Sequence, residues 1–514
     1  MVPRQGRSGG GGNSMAEYDL AVIGGGIHGC GIARDAAGRG LSVLLVEQGD
    51  LGSATSSAST KLIHGGLRYL EHFAFRLVRE CLAERELLLK VAPHLVSPIR
   101  LVLPQVPSMR RAFLLKLGLM LYDRIGGRSS LPRSRVLDLA DDPAGAALRP
   151  GLRTAFEFSD CIVDDARLVI ANAISAREKH ATIRTRTRCV AARREDGRWQ
   201  LVLQSGGQRQ TATARALVNA AGPWGGHFVE NVVRRPARTR LKLVKGSHIV
   251  VPRLHAHDRA YILQNDDGRL VFAIPFARAY TLVGTTEVPI SGDPAQVVAS
   301  ADEILYLCRV VGAFFRSAIE PSRIVWTYAG VRALIDDGSA RPSETTRDYR
   351  IEMDGGYGEP PLVSVFGGKL TTYRRVAEMA VDKLRHWFVL GPAWTGEAPL
   401  PGGDFMGGID RLLAELSAAH PYLPAPLARR LASAYGTRAL RILGRAKRLE
   451  DLGPRIVGDL YAAELDYLRR EEWARTAEDV LWRRTKLGLG ASAAEVTALK
   501  AIFGSVEAEE IPTR

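Results

Sequence analysis

Apolar positions along this chain follow two periods, and the switches between them mark its parts. Residues 20–23 and 41–46 are apolar runs, the second interrupted by Ser42 alone, which read as strands buried on both faces. Between them lies a helix of small residues, closed by the glycines at 38 and 40. Residues 67–92 place apolar side chains three and four apart, predicting one long helix. Prolines at 93, 98, 104 and 107 then break the chain into extended pieces, and 109–122 predicts a second helix with Arg110, Arg111, Lys116 and Arg124 around it. Short β-like alternations fill 182–218, with a turn at Glu195-Asp196-Gly197, and end in a Gly-Pro turn at Gly222. Four more strands are expected between 240 and 290, a helix over 293–316 and a strand block over 324–332. Residues 362–384 read as strand, glycine turn and helix. From Pro399 onward the pattern is helical, with no strand signal.

The first strand runs into Gly24-Gly25-Gly26-Ile27-His28-Gly29, and the second ends on Glu47, eighteen residues after Gly29. Each part suits a bound dinucleotide. Gly24 permits the tight turn, Gly26 lets backbone approach a pyrophosphate, and Gly29 lets helix pack on strand. The helix N-terminus offers free N–H groups to phosphate, and Glu47 can accept from ribose hydroxyls. This arrangement alone does not separate NAD from FAD.

Composition narrows the class. With 514 residues, two to four domains are expected. The hydrophobic fraction of 46% and charged fraction of 24% are those of an ordinary globular protein. Five scattered cysteines show neither CxxC nor metal-ligand spacing, so free thiols in a reducing compartment are expected, with no metal. No apolar run reaches the roughly 18 residues needed to span a bilayer. Residues 1–14 are Gly-rich without an apolar core and read as a disordered leader rather than a secretory signal. A net charge of +15 raises nucleic acid, an anionic membrane or an anionic substrate as partners. The basic residues are dispersed and no nucleic-acid motif accompanies them, so nucleic acid is set aside.

Three features favour a tightly held flavin. The nucleotide unit is followed by a hydroxyl-rich run, SATSSASTK, whose Thr55, Ser56, Ser57, Ser59 and Lys61 are candidate contacts for pyrophosphate and ribityl oxygens. The chain has one nucleotide unit, so a second electron acceptor must come from elsewhere. The FGGK turn, with Gly367, Gly368 and the following Thr371, can set backbone amides beside a flavin ring. Gly65, Gly66 and Gly222 are further backbone-approach positions.

The segments SSASTKLIHGGLRYLEH, KGSHIVVP, VGTTE, WTYAGVR, SVFGGKLTTYR and WRRTKLGL resemble those of the FAD-dependent (aerobic respiratory) glycerol-3-phosphate dehydrogenases, in register from about residue 17 to 489. The resemblance implies an α/β fold: a Rossmann-like FAD-binding domain of the glycine-oxidase type, an inserted antiparallel-sheet substrate domain and an all-helical C-terminal domain. Its implied segments are 15–92, 151–235 and 324–392 for the FAD domain, 93–150 and 236–323 for the substrate domain, and 399–514 for the helical domain. It implies oxidation of sn-glycerol 3-phosphate to dihydroxyacetone phosphate, with electrons passed to ubiquinone or menaquinone. An oxidase of the same fold, reducing oxygen to peroxide, is the alternative.

By the same resemblance Arg68 and Tyr69 match phosphate-side residues, Arg332 and Lys369 match active-site cations, and His248 matches the active-site histidine. A phosphate ester calls for charge-assisted hydrogen bonds. An imidazole is chemically suited to take the C2 hydroxyl proton, and Arg332 or Lys369 could instead polarise the developing alkoxide. Glu287 is left outside the catalytic set. The resemblance also implies a cytoplasmic protein held peripherally on the inner face of the membrane, with a homodimer among the partner expectations. Segment 109–128, apolar with basic flanks, is a candidate contact with anionic lipid, against the plain alternative of a helix packed on the core.

Overall fold

The computed structural model describes residues 16–106, 112–339, 345, 347–356 and 358–504. The leader and residues 109–111 of the expected second helix lie outside the described residues. Two large sheets and a C-terminal domain make up the molecule.

Among the described residues the first sheet has eight strands: six in the order Tyr349–Asp354, Leu362–Gly367, Gln208–Asn219, Ala16–Ile23, Val43–Val46, Thr182–Arg184, and the hairpin Arg188–Glu195 and Arg198–Ser205 paired to Gln208–Asn219. From Leu362–Gly367 to Thr182–Arg184 neighbours are parallel, and Tyr349–Asp354 is antiparallel at one edge. Every side chain of Leu20–Ile23 and Val43–Val46 is buried, as expected of strands covered on both faces. One face carries the helices Ile27–Gly38, Asp165–Glu178 and Tyr373–Asp382, whose apolar side chains share a core with Leu20, Val22, Val43 and Leu45. On the other face Ala21, Ile23, Leu44 and Val46 pack with Trp199, Leu201 and Leu203 of the hairpin strand Arg198–Ser205.

The second sheet has ten strands. Its backbone is the antiparallel ladder between Leu241–Pro252 and Trp326–Ile335, paired from Leu241↔Ile335 to Val250↔Trp326. Beyond it run Tyr280–Gly284, Leu270–Phe276, Ala260–Gln264, Val96–Pro104 and Thr154–Val163. The sheet is antiparallel except where Ala260–Gln264 lies parallel to Val96–Pro104. Helix Ala301–Phe314 covers one face, while helices Phe75–Val91 and Ala112–Ile125 pack over the other.

The departures from the sequence reading are local. The helix expected over 67–92 is a 3₁₀ turn, Leu67–His72, and an α-helix, Phe75–Val91, parted by Phe73 in the left-handed region at φ 55°. Thr154–Val163 and Trp326–Ile335 fall inside segments expected in the FAD domain, but pair into the second sheet, because long ladders to Val96–Pro104 and Leu241–Pro252 hold them. Leu62–Ile63 likewise joins that sheet. The helix expected from 293 begins at Ala301, where Ser300 and Glu303 form a capping box. The C-terminal domain is not wholly helical: Arg455–Val457 and Leu460–Tyr461 form a two-stranded sheet.

Candidate active site

At the end of Ala16–Ile23 the chain turns through Gly24, at φ 113°, where a β-carbon would run into the backbone of Ala220. Gly29 packs so closely that a β-carbon there would overlap the Gly24 carbonyl oxygen. Gly26 caps helix Ile27–Gly38 and has no side chain of its own to cover the N-terminus. Ser56 Oγ accepts from the Ile27 N–H at 3.0 Å, so the hydroxyl run folds back onto that helix end. The Glu47 carboxylate accepts from the Gly25 and Gly49 N–H groups, both at 2.6 Å. Burial pushes its pKa up, against the pull of these two bonds.

A cavity of about 780 Å³ extends from Glu47 to Lys369, within the range of a small-molecule or cofactor site. Gly24, Gly26, Glu47, Thr55, Ser56, Ser57, Ser59, Gly222, Gly367, Gly368 and Thr371 line it. Gly222, Gly367 and Gly368 have φ of 54°, 71° and 86°, which leaves backbone facing the space. Thr55 Oγ1 donates to the Val331 carbonyl at 2.6 Å, and Thr371 Oγ1 accepts from the His64 N–H at 3.3 Å. Ser59 and Lys61 both turn toward Asp165: Ser59 Oγ donates to one carboxylate oxygen at 2.7 Å, and Lys61 Nζ pairs with the other at 2.8 Å. Lys61 is buried behind the wall and does not line the cavity. Gly29, Gly65 and Gly66 also stand behind it; Gly65 donates its N–H to the Tyr122 hydroxyl at 2.9 Å.

His28 was not singled out by sequence. Its Nε2 is buried in the wall without a hydrogen-bond partner, beside Gly368, and burial holds its pKa down at about 4. Glycine turns, a helix N-terminus, a terminal carboxylate and an unpartnered imidazole make a donor set that fits a flavin dinucleotide.

The expected catalytic residues converge at the other end. His248 lies on Leu241–Pro252 opposite Gly284, where any β-carbon would collide with the imidazole. Its ring stacks on Tyr328 at 4.7 Å and 14°, and Nε2 meets Thr60 Oγ1 at 3.0 Å. Nδ1 has no partner. Burial, reinforced by Arg332 and Lys61, holds the pKa well below the usual histidine range, so the ring is neutral. Arg332 donates to Thr285 Oγ1 at 3.0 Å and stands 3.9 Å from Glu287. Burial and the neighbouring Arg347 lower its pKa to about 10. Lys369 Nζ sits 3.6 Å from the Tyr69 ring centroid and 3.6 Å from Cys81 Sγ.

Tyr69 lines the cavity, but Arg68, half-buried on the same turn, does not. Arg347, which pairs with Glu287, takes a place in the cationic wall that the sequence reading missed. Its surroundings, TTRDYR, carried no recognisable pattern. Tyr328, Trp326 and Trp482 were also overlooked as wall residues, although they lie within the WTYAGVR and WRRTKLGL motifs.

Comparison with known proteins agrees with this geometry. Residues 19–374 match the family model of FAD dependent oxidoreductases, and residues 393–509 match the C-terminal domain of alpha-glycerophosphate oxidase. A glycerol-3-phosphate dehydrogenase of Pseudomonas aeruginosa is 54% identical over 92% of both chains. The chain belongs to the FAD-dependent glycerol-3-phosphate dehydrogenase family. An aerobic glycerol-3-phosphate dehydrogenase of Escherichia coli is 50% identical, over 92% of this chain and 95% of its own. A D-erythritol 1-phosphate dehydrogenase of Brucella abortus is 47% identical, over 93% and 96%.

Among solved structures, the glycerol-3-phosphate dehydrogenase from Bacillus halodurans complexed with FAD matches with a TM-score of 0.74 at 26% identity, over 96% of this chain and 95% of that one. Glycine oxidase from Bacillus cereus shares the fold alone, with a TM-score of 0.54 at 17% identity, over 73% and 98%. This member of the family is thus an FAD-dependent oxidoreductase.

Proposed function

We propose that this enzyme oxidises sn-glycerol 3-phosphate at C2 to dihydroxyacetone phosphate and passes the electrons to a membrane quinone. The observation that carries the substrate reading is the cationic wall. Arg332, Arg347 and Lys369 line the end of the cavity away from Glu47, with Glu287 pairing Arg347 beside them, a cationic surplus matched to a phosphate ester of nearly two negative charges. Bound FAD supplies the acceptor for the hydride leaving C2. Gly24, Gly26 and the start of helix Ile27–Gly38 would hold its pyrophosphate, Glu47 its ribose, and Gly367 and Gly368 its flavin end.

His248 is the proton acceptor in this reading. Its ring is neutral, as a base must be, and Nδ1 is buried without a hydrogen-bond partner. The Tyr328 stack and Thr60 fix the ring plane, and Lys369 steadies negative charge developing on the C2 oxygen.

For electron delivery we propose that the enzyme docks on anionic lipid through helix Ala112–Ile125. No helix of the described residues is long and apolar enough to cross a membrane. This helix instead buries Leu119 and Tyr122 and leaves Phe113, Leu114, Leu117, Met120 and Leu121 exposed, with exposed Phe73 and Phe75 on the adjoining segment. Lys116 and Arg124 are exposed on the same helix, the composition of an interfacial segment. The test reduces the holoenzyme without oxygen, using glycerol 3-phosphate or D-erythritol 1-phosphate, and then reoxidises it with a quinone or with oxygen. Faster reduction by glycerol 3-phosphate and faster reoxidation by quinone are expected. Preference for the four-carbon phosphate would overturn the substrate, and preference for oxygen would favour an oxidase.

A further inference from the structure

Among the described residues, the C-terminal domain contributes just Trp482 and Arg483 to the wall of the cofactor cavity. Both stand in a segment anchored at three places around that cavity. Arg483 Nε donates to Asp50 at 2.6 Å, and Arg484 binds the same carboxylate with two nitrogens at 2.5 and 2.8 Å. Asp50 lies on the loop that leaves Glu47, two residues before Gly52 donates its N–H to the Gly25 carbonyl at 2.9 Å. The Trp482 ring stacks on Trp326 at 4.5 Å and 17°, and Trp326 meets Tyr328, the residue stacked on His248. Lys486 Nζ pairs at 3.3 Å with Asp164, the cap of helix Asp165–Glu178, whose Asp165 holds Ser59 and Lys61 of the hydroxyl run.

We infer that the Trp482–Lys486 stretch of the C-terminal domain is the closing wall of the FAD site, so that FAD retention and docking of this domain form one coupled equilibrium. The physical reason is that the wall does not open piecemeal. Withdrawing it breaks three ion pairs together, Arg483 and Arg484 with Asp50 and Lys486 with Asp164, so no one of them opens without the others. It also parts the two indoles, which lose a stacking contact inside the cavity wall. A cofactor filling the cavity touches the closed wall and not the open one. FAD therefore favours the docked domain, and by linkage the docked domain holds FAD to the same degree.

The test uses the full-length holoenzyme and follows FAD release as the rise of free-flavin fluorescence. Trp482→Ala should release FAD faster by about tenfold, and Arg483→Gln, which keeps the Arg484–Asp50 pair, by a smaller factor. In the wild type, limited proteolysis in the linker between His386 and helix Gly408–Ala419, at the fully exposed Val389, should speed up once the flavin is removed. Release rates that match the wild type in both variants would overturn the inference, as would linker cleavage indifferent to flavin. The wild-type proteolysis decides the matter even if Trp482→Ala does not fold.

Discussion

Replacing Arg332 with glutamine tests the substrate reading where its energetics are most explicit. Burial and Arg347 lower the Arg332 pKa from 12.5 to about 10. At about 1.4 kcal/mol per pH unit, the charged guanidinium bears roughly 3 kcal/mol of cost that the nearby Glu287 does not relieve. A phosphate ester relieves part of that cost and gains charge-assisted hydrogen bonds worth about 1.5–3 kcal/mol each. The side chain retains 23% exposure, so solvent screens some of both effects. A net loss of about 2–3 kcal/mol corresponds to substrate binding roughly 30- to 150-fold weaker in Arg332→Gln. Anaerobic stopped-flow reduction of the flavin, followed against glycerol 3-phosphate concentration, separates Kd from the limiting rate constant. The expected result is a large rise in Kd, only partly restored by Arg332→Lys, because a lysine lacks the planar fork. A Kd that stays at the wild-type value would refute the assignment of this cation to the phosphate.

Other outcomes follow from the same structure. Gly29→Ala should abolish FAD incorporation, read from the visible spectrum of the purified protein, because its β-carbon meets the Gly24 backbone rather than a side chain that can move aside. Lys61→Met leaves Asp165 buried with its cation gone, and denaturant unfolding should report a loss of about 3–5 kcal/mol. His94 is buried and its pKa is held down at about 3, mainly by burial and then by Arg167. The unfolded chain binds a proton below about 6.5 and the folded one does not until about 3, so stability should fall by up to about 1.4 kcal/mol per unit of acidification across that window. His94→Gln should flatten that slope in a thermal-melt series against pH. Leu117→Glu, on the exposed face of Ala112–Ile125, should weaken retention on anionic liposomes at low salt without altering flavin reduction in solution.

How much of this was legible in sequence depended on whether the signal was local. The glycine turn, Glu47 and the buried runs at 20–23 and 43–46 could be read directly, because strand, turn and helix follow one another within thirty residues. The four strands expected between 240 and 290 are found at Leu241–Pro252, Ala260–Gln264, Leu270–Phe276 and Tyr280–Gly284, because turn residues separate the runs. Sheet membership was not local. Thr154–Val163 and Trp326–Ile335 join the second sheet through partners tens of residues away, and no periodicity announces a partner.

The site shows the same division. Motif residues such as His248, Arg332, Lys369 and Gly367 meet in one cavity, but Arg347 carried no pattern and was found only through its ion pair with Glu287. Lys61 and Ser59 sit in a run whose hydroxyls and cation read as cofactor contacts, yet both side chains bond Asp165, and Lys61 is drawn behind the wall. A buried carboxylate more than a hundred residues away decides where they point.

The central claim is that this FAD enzyme takes its electrons from glycerol 3-phosphate. The most direct measurement is the visible absorbance of the holoenzyme, recorded without oxygen during stepwise addition of glycerol 3-phosphate, with glycerol as the control. Bleaching of the flavin band by the phosphate ester and not by glycerol is the expected result. A flavin that stays oxidised with glycerol 3-phosphate in excess would contradict the assignment.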